Sequence, residues 1–247
     1  MERFANFAQM LFMKLLRFSL IFALLWITFS CQNDRGSQTT EEPRNQIQPV
    51  DTTTPTNGRR KPGITEDYEN TDRVIWQKPD LVIDLLGDLS GKTVADIGAG
   101  TGFFALRLVP QAKKVIAIDI DQRFVNYLDS VKILELPEHL QSRLEARLAT
   151  PADPGLKPNE ADIVLIVNTF MYIGNRIEYL RILRKGMAKG GKLIIVDFKK
   201  KRTPIGPPSE MRLPIHVVEE ALYTAGYQNI TTNDTALDYQ YFVVAEK

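Results

Sequence analysis

Residues 96–102 read DIGAGTG, an aspartate at the end of an apolar run followed by glycine at every second position, Gly98, Gly100 and Gly102. Glycine lets a backbone pass through left-handed conformations and lie close against a ligand, so this spacing marks a binding turn. The neighbours argue against two common uses of such turns. A dinucleotide fingerprint, G-x-G-x-x-G, needs a third glycine for close packing of helix on strand, and Phe103 occupies that position. A phosphate loop ends in glycine, lysine and a hydroxyl residue, and no lysine stands at the required place.

A second acidic residue sharpens the reading. Asp119 follows Gly98 by 21 positions at the end of the next apolar run, KVIAIDI, about where a carboxylate can accept hydrogen bonds from both hydroxyls of a ribose. Ile120 beside it offers an apolar face to a nucleobase. The turn itself suits a ligand with an ammonium group near Asp96 and a carboxylate near the first N–H groups of the following helix. S-adenosylmethionine carries both groups. The sequence therefore predicts this cofactor, held by Asp96, Gly98, Ala99, Gly100, Thr101, Gly102, Asp119 and Ile120. Asp121 directly precedes QRFVNYL and reads as a helix N-cap rather than a ligand.

These residues need a scaffold, and the pattern from Asp72 onward supplies one. Short β-branched runs alternate with helix-period stretches, the signature of βαβ units and a parallel sheet. Strands are predicted at 93–98, 114–120, 143–149, 161–169 and 191–198, with a helix after Pro79 that places Leu81, Leu85 and Leu89 on one face. Further helices follow the glycines, cover RIEYLRILRKGM and run from about Ile215 to Ala225. Continuous apolar strands such as DIVLIV suit a sheet covered on both faces. YQNITTNDTA and YQYFVVAE follow each other without a helix between and predict an antiparallel hairpin at the end of the sheet. The expected fold class is α/β, a Rossmann-like, doubly wound, mostly parallel seven-stranded sheet with a C-terminal antiparallel hairpin and helices on both faces.

VADIGAGTGFF together with AIDID resembles the class I S-adenosylmethionine-dependent methyltransferases, and the resemblance extends over residues 74–247. GMAKGGKLIIVDF resembles the turn and fifth strand of that family, and ADIVLIVNTFMYI its fourth strand and following loop. More narrowly, WQKP, TPADPGL, GPP and QYFVVAEK resemble an exported bacterial subgroup. The resemblance implies methyl transfer from S-adenosylmethionine and adds site residues. Thr150 falls where the family commonly places an acidic or amide side chain near the adenine, so it either contacts the base or marks weakened base recognition. Asn168 faces the cofactor edge in this fold, or caps the following turn. Tyr172 lies in the loop where relatives orient the acceptor, and is a candidate for that role, although packing of Phe170, Met171 and Tyr172 is the favoured reading. Methyl transfer is an in-line displacement in which positioning supplies much of the acceleration.

Composition narrows the partners. The 247 residues carry a net charge of +1, with 44% hydrophobic and 25% charged residues, an ordinary globular balance with no field to recruit nucleic acid. One cysteine, Cys31, and two histidines, His139 and His216, leave no metal site to expect. The basic KKKR run at 199–202 is read as a solvated loop, with attraction of an acidic substrate or headgroup as the alternative.

The N-terminus points elsewhere. Lys14 and Arg17 precede the uncharged run 18–30, which stops at Cys31, a length closer to a signal-peptide core than to a free-standing membrane helix. Ser30-Cys31 resembles a bacterial lipoprotein cleavage and lipidation site, with an uncleaved signal anchor as the alternative. Residues 1–31 are thus expected to be a signal, 32–66 a disordered polar linker, and 67–247 the methyltransferase domain, attached to the membrane through its N-terminus and facing the periplasm or exterior of the bacterial envelope. The cofactor, however, is made in the cytosol. That conflict keeps a second class open, a lipid-anchored, catalytically inactive binding protein on the same fold, beside an enzyme acting on a small or lipid-like acceptor. A nicotinamide enzyme would require the Phe103 argument to fail.

Overall fold

A computed structural model of the chain describes residues 72–247. The expected signal, Cys31 and the linker lie outside the described residues. Seven strands form one sheet, β1 (Thr93–Ile97), β2 (Lys114–Asp119), β3 (Leu144–Leu148), β4 (Ala161–Val167), β5 (Met187–Phe198), β6 (Gln228–Asn233) and β7 (Gln240–Glu246), in the order β3-β2-β1-β4-β5-β7-β6. β1 pairs in parallel with β2 and β4, as do β2 with β3 and β4 with β5. β7 runs antiparallel between β5 and β6. The expected hairpin is present, and its second strand lies inside the sheet.

Period-two alternation sorts the strand side chains onto two buried faces. Val164 and Ile166 of β4 and Leu193 and Ile195 of β5 enter one core with Leu180, Leu183, Val218 and Leu222. Ile163, Leu165, Ile194 and Val196 enter the other with Val82, Ile83, Leu108 and Leu128. The helices that cover these faces are α1 (Arg73–Gln77), α2 (Pro79–Asp84), α3 (Ala105–Leu108), α4 (Gln122–Glu135), α5 (Glu138–Gln141), α6 (Arg176–Gly186) and α7 (Ile215–Thr224). α4 begins as the sequence predicts, with the Asp121 carboxylate accepting the Arg123 N–H at 2.8 Å.

Two local departures have physical causes. The helix expected after Pro79 is preceded by α1, and Lys78 between them is left-handed at φ 48°. α2 stops at Asp84, so Leu81, Leu85 and Leu89 do not share one helical face: Val82, Ile83, Leu86 and Leu89 are buried, while Leu81 and Leu85 are only partly covered. β5 starts four residues earlier than expected, at Met187, and the pairing with β4 shifts register between Ala161 and Ile163. Gly191 makes the irregularity possible, because a Cβ there would lie 2.9 Å from the Ala188 carbonyl and 3.0 Å from that of Asp162.

Candidate active site

The sheet order reverses between β1 and β4, the point at which ligands of open α/β sheets bind, outside the carboxyl ends of the strands. A cavity of about 420 Å³ opens there, within the range of roughly 300–1,000 Å³ usual for small-molecule pockets. The glycine turn forms its floor. Gly98, Gly100 and Gly102 all take left-handed φ, 74°, 54° and 83°. Gly98 and Ala99 both donate to the Ile118 carbonyl, at 2.8 and 3.0 Å, which fixes the turn to the end of β2. A side chain at Gly98 would collide with Thr169, at 2.2 Å from its hydroxyl, whereas nothing stands within 4 Å of the position a Cβ would take at Gly100.

Asp119 closes one side of the cavity. One of its carboxylate oxygens accepts the Gly100 N–H at 2.9 Å and the other the Asp121 N–H at 3.0 Å. Each carboxylate oxygen carries two lone pairs, so each retains acceptor capacity toward a ligand hydroxyl. Ile120 beside it is 60% exposed on the cavity wall, an apolar surface fit to cover a nucleobase. The open backbone at Gly100, the Asp119 acceptors and the Ile120 face together fit an adenosine.

Other predicted residues fall in different places. Gly98, Ala99, Gly100, Thr101, Asp119, Ile120, Thr150, Asn168 and Tyr172 line the cavity. Asp96 and Gly102 do not. Gly102 lies beneath the turn, where a Cβ would meet Leu128 at 2.6 Å. Asp96 is 3% exposed, and burial pushes its carboxyl up to about 7 against the opposing charge of Arg73 and an N–H from Ala105. Thr150 uses its hydroxyl locally, accepting the Asp153 N–H at 3.1 Å in an isolated bridge. α3, the helix after the turn, has only four residues, too few to build the dipole the sequence reading assigned to it.

The loop after β4 is a 3₁₀ turn, Phe170–Tyr172, with Phe170 and Met171 buried and Tyr172 exposed at the cavity. The sequence-based preference for packing thus holds for two of the three side chains. Asp197, fully buried near the end of β5, accepts the Met171 N–H at 3.0 Å. Burial pushes its carboxyl up to about 8, with that N–H and the Arg176 charge opposing.

The residue sequence reasoning missed is Arg73. It lines the cavity from α1, stacks 4.0 Å over the centroid of Phe103 and shares that ring with Arg107, also at 4.0 Å. Burial lowers its guanidinium to about 10, with Asp96 opposing, so it stays charged at neutral pH. The aromatic that breaks the dinucleotide pattern is thus a platform for a cation. Its only sequence signal was the WQKP segment just after it. Among the described residues, no group of three metal-ligating side chains occurs and no helix is long and apolar enough to cross a membrane.

Comparison with known proteins agrees with this geometry. Residues 95–193 match the model of a methyltransferase domain. The structure superimposes on a S-adenosylmethionine-dependent methyltransferase from Aquifex aeolicus with a TM-score of 0.67 at 26% identity, covering 75% of this chain and 99% of that one. A Haemonchus contortus phosphoethanolamine N-methyltransferase 2, solved with S-adenosylmethionine, shares the fold at 14% identity and a TM-score of 0.58, covering 70% of this chain and 52% of that one. A tRNA U34 carboxymethyltransferase from Haemophilus influenzae is 28% identical over 135 residues, 54% of this chain. The match spans 40% of that relative's own length. These similarities support a class I S-adenosylmethionine-dependent methyltransferase, with S-adenosylmethionine as the cofactor.

Proposed function

We propose that the chain binds S-adenosylmethionine across the carboxyl ends of β1, β2 and β4 and transfers its methyl group to an acceptor presented beside Tyr172. The observation that carries this reading is the pairing of Asp119 with the open turn at Gly100. The carboxylate is held by two backbone N–H groups and keeps acceptor capacity for two ribose hydroxyls, next to a backbone that a ligand can approach without obstruction. When bound, the cofactor supplies an electrophilic methyl group on sulfonium. The protein's own contribution is placement, with Asp119 fixing the ribose, Ile120 covering the base and the turn after β4 setting the line of approach. The curated relatives that match are named for methyl or carboxymethyl transfer, which favours an enzyme over a binding protein without turnover.

Calorimetry on the full chain tests the cofactor. Micromolar binding of S-adenosylhomocysteine that weakens by roughly 100-fold in Asp119→Ala is expected, and undiminished binding in that variant would overturn the site.

We further propose that the enzyme is carried at the bacterial cell envelope by a lipid on Cys31. The apolar run behind Lys14 and Arg17 and the Ser30-Cys31 junction support this placement. Fractionation of native cells tests it: wild-type protein in the membrane fraction and Cys31→Ser in the soluble fraction are expected, and wild-type protein in the cytosolic fraction would refute it.

A further inference from the structure

Four side chains outside the glycine turn join two walls of the cavity through the protein interior. Arg73 on α1 and Asn168 after β4 both line it. Gln77 and Gln240, each 0% exposed, connect them. The Arg73 Nε–H donates to Gln77 Oε1 at 2.5 Å, Gln77 Nε2 donates to Gln240 Oε1 at 3.1 Å, and Gln240 Nε2 donates to Asn168 Oδ1 at 2.5 Å. Of the four, only Asn168 falls within residues 95–193, the stretch that matches the methyltransferase-domain model.

The first member forces the direction of the chain. A guanidinium has five N–H donors and no acceptor, so the Gln77 oxygen must face it. The Gln77 NH₂ then faces Gln240, whose oxygen must face it in turn, and the Gln240 NH₂ faces Asn168. Turning any one amide over would set like groups against each other in a dry interior. The Asn168 oxygen is thereby turned toward Gln240, and its Nδ2 donors face away from that bond, toward the cavity. Asn168 itself sits at φ 56°, a left-handed conformation that asparagine tolerates better than most side chains.

The two sides of the cavity consequently differ in sign. At the end of β2, Asp119 presents acceptors. At the ends of β1 and β4, the Arg73 guanidinium and the Asn168 amide present donors, and Phe103 holds the cation in place. A ligand with hydroxyls at one end and a carboxylate at the other matches that division. We propose that the buried chain Arg73–Gln77–Gln240–Asn168 fixes Asn168 as a hydrogen-bond donor toward the amino-acid carboxylate of the cofactor, and that Gln240 is its positioning residue. This inference rests on the S-adenosylmethionine reading of the cavity.

The test compares two ligands that differ in this end alone, S-adenosylhomocysteine and 5′-methylthioadenosine, which lacks the amino-acid group, by calorimetry on the full chain. Asn168→Asp still accepts from Gln240 but turns a carboxylate toward the cavity. It is expected to weaken S-adenosylhomocysteine at least tenfold and to leave methylthioadenosine within twofold. Gln240→Met removes the connection at similar volume and is expected to weaken the first ligand at least threefold with the second again unchanged. Equal losses for both ligands, or none for either, would overturn the proposal while leaving the cofactor assignment standing. If Gln240→Met fails to fold, Asn168→Asp decides alone. A wild-type chain that binds neither ligand would refute the cofactor reading, and this inference with it.

Discussion

The two ends of the cavity are built in opposite ways. The β2 end is local: Gly98, Gly100, Asp119 and Asp121 lie within one βαβ unit, and their hydrogen bonds run between a turn and the adjacent strand end. The β1–β4 end is assembled across the whole fold, through side-chain contacts spanning 163 residues between Gln77 and Gln240 and 72 between Gln240 and Asn168. A local site is specified by a short motif and survives changes elsewhere in the chain. An assembled one depends on the relative placement of elements at both extremes of the domain, which makes its polarity an outcome of tertiary structure.

Substitutions in the turn break the local end most severely. Gly98→Ala combines left-handed strain of about 1–2 kcal/mol with a methyl driven into Thr169, so a loss of about 3 kcal/mol in chemical unfolding is expected. Gly100→Ala should show the backbone strain alone, because the space beside it is open. Equal losses for the two would mean that packing against Thr169 does not define the turn. Asp119→Ala removes a charged acceptor from two ligand hydroxyls and should weaken S-adenosylhomocysteine by roughly 100-fold in calorimetry, at about 1.5 kcal/mol for each bond.

The assembled end is distinguished by buried carboxyls. Asp96 moves from 3.8 to about 7 on folding and Asp197 from 3.8 to about 8, both through burial. The folded state therefore binds more protons than the unfolded chain between those values, and stability falls as pH rises through the interval. Asp96→Asn and Asp197→Asn fix neutral side chains that still accept an N–H. Each should reduce the drop in thermal midpoint between pH 5 and pH 8, and an unchanged drop in both would count against charge burial at this end. The smallest effect belongs to the sheet edge at β3, away from the cavity, where Arg147 pairs with Glu160 at 2.7 Å and also engages Glu145. The Arg147 guanidinium holds Glu160 down at about 2, so its contribution is present above about pH 4.5 and lost as pH falls toward 2. Glu160→Gln should cost about 1 kcal/mol at pH 7 and nothing at pH 2, read by urea unfolding.

The same contrast explains what could be read from the sequence. Strand alternation, the Asp121 cap and the glycine spacing are local signals, and the β2 end of the cavity followed from them. WQKP and QYFVVAEK, which hold Gln77 and Gln240, carry a family likeness but no signal of a pocket, since an isolated arginine or glutamine reads as surface and only tertiary contact turns it into part of a cavity. Phe103 shows the limit from the other side. Its identity argued against one cofactor geometry on spacing, yet its use as a seat for Arg73 depends on α1, which places that arginine from 30 residues earlier in the chain, and no spacing rule connects the two. The left-handed Lys78 between α1 and α2 belongs to the same class, because a left-handed residue other than glycine or asparagine is stabilised by what surrounds it.

β7 is the last strand of the chain, and Gln240 is its first residue. During synthesis the glycine turn and Asp119 leave the ribosome more than 120 residues before Gln240 does. A nascent chain therefore carries the turn and the Asp119 carboxylate long before it carries the side chain proposed to orient Asn168.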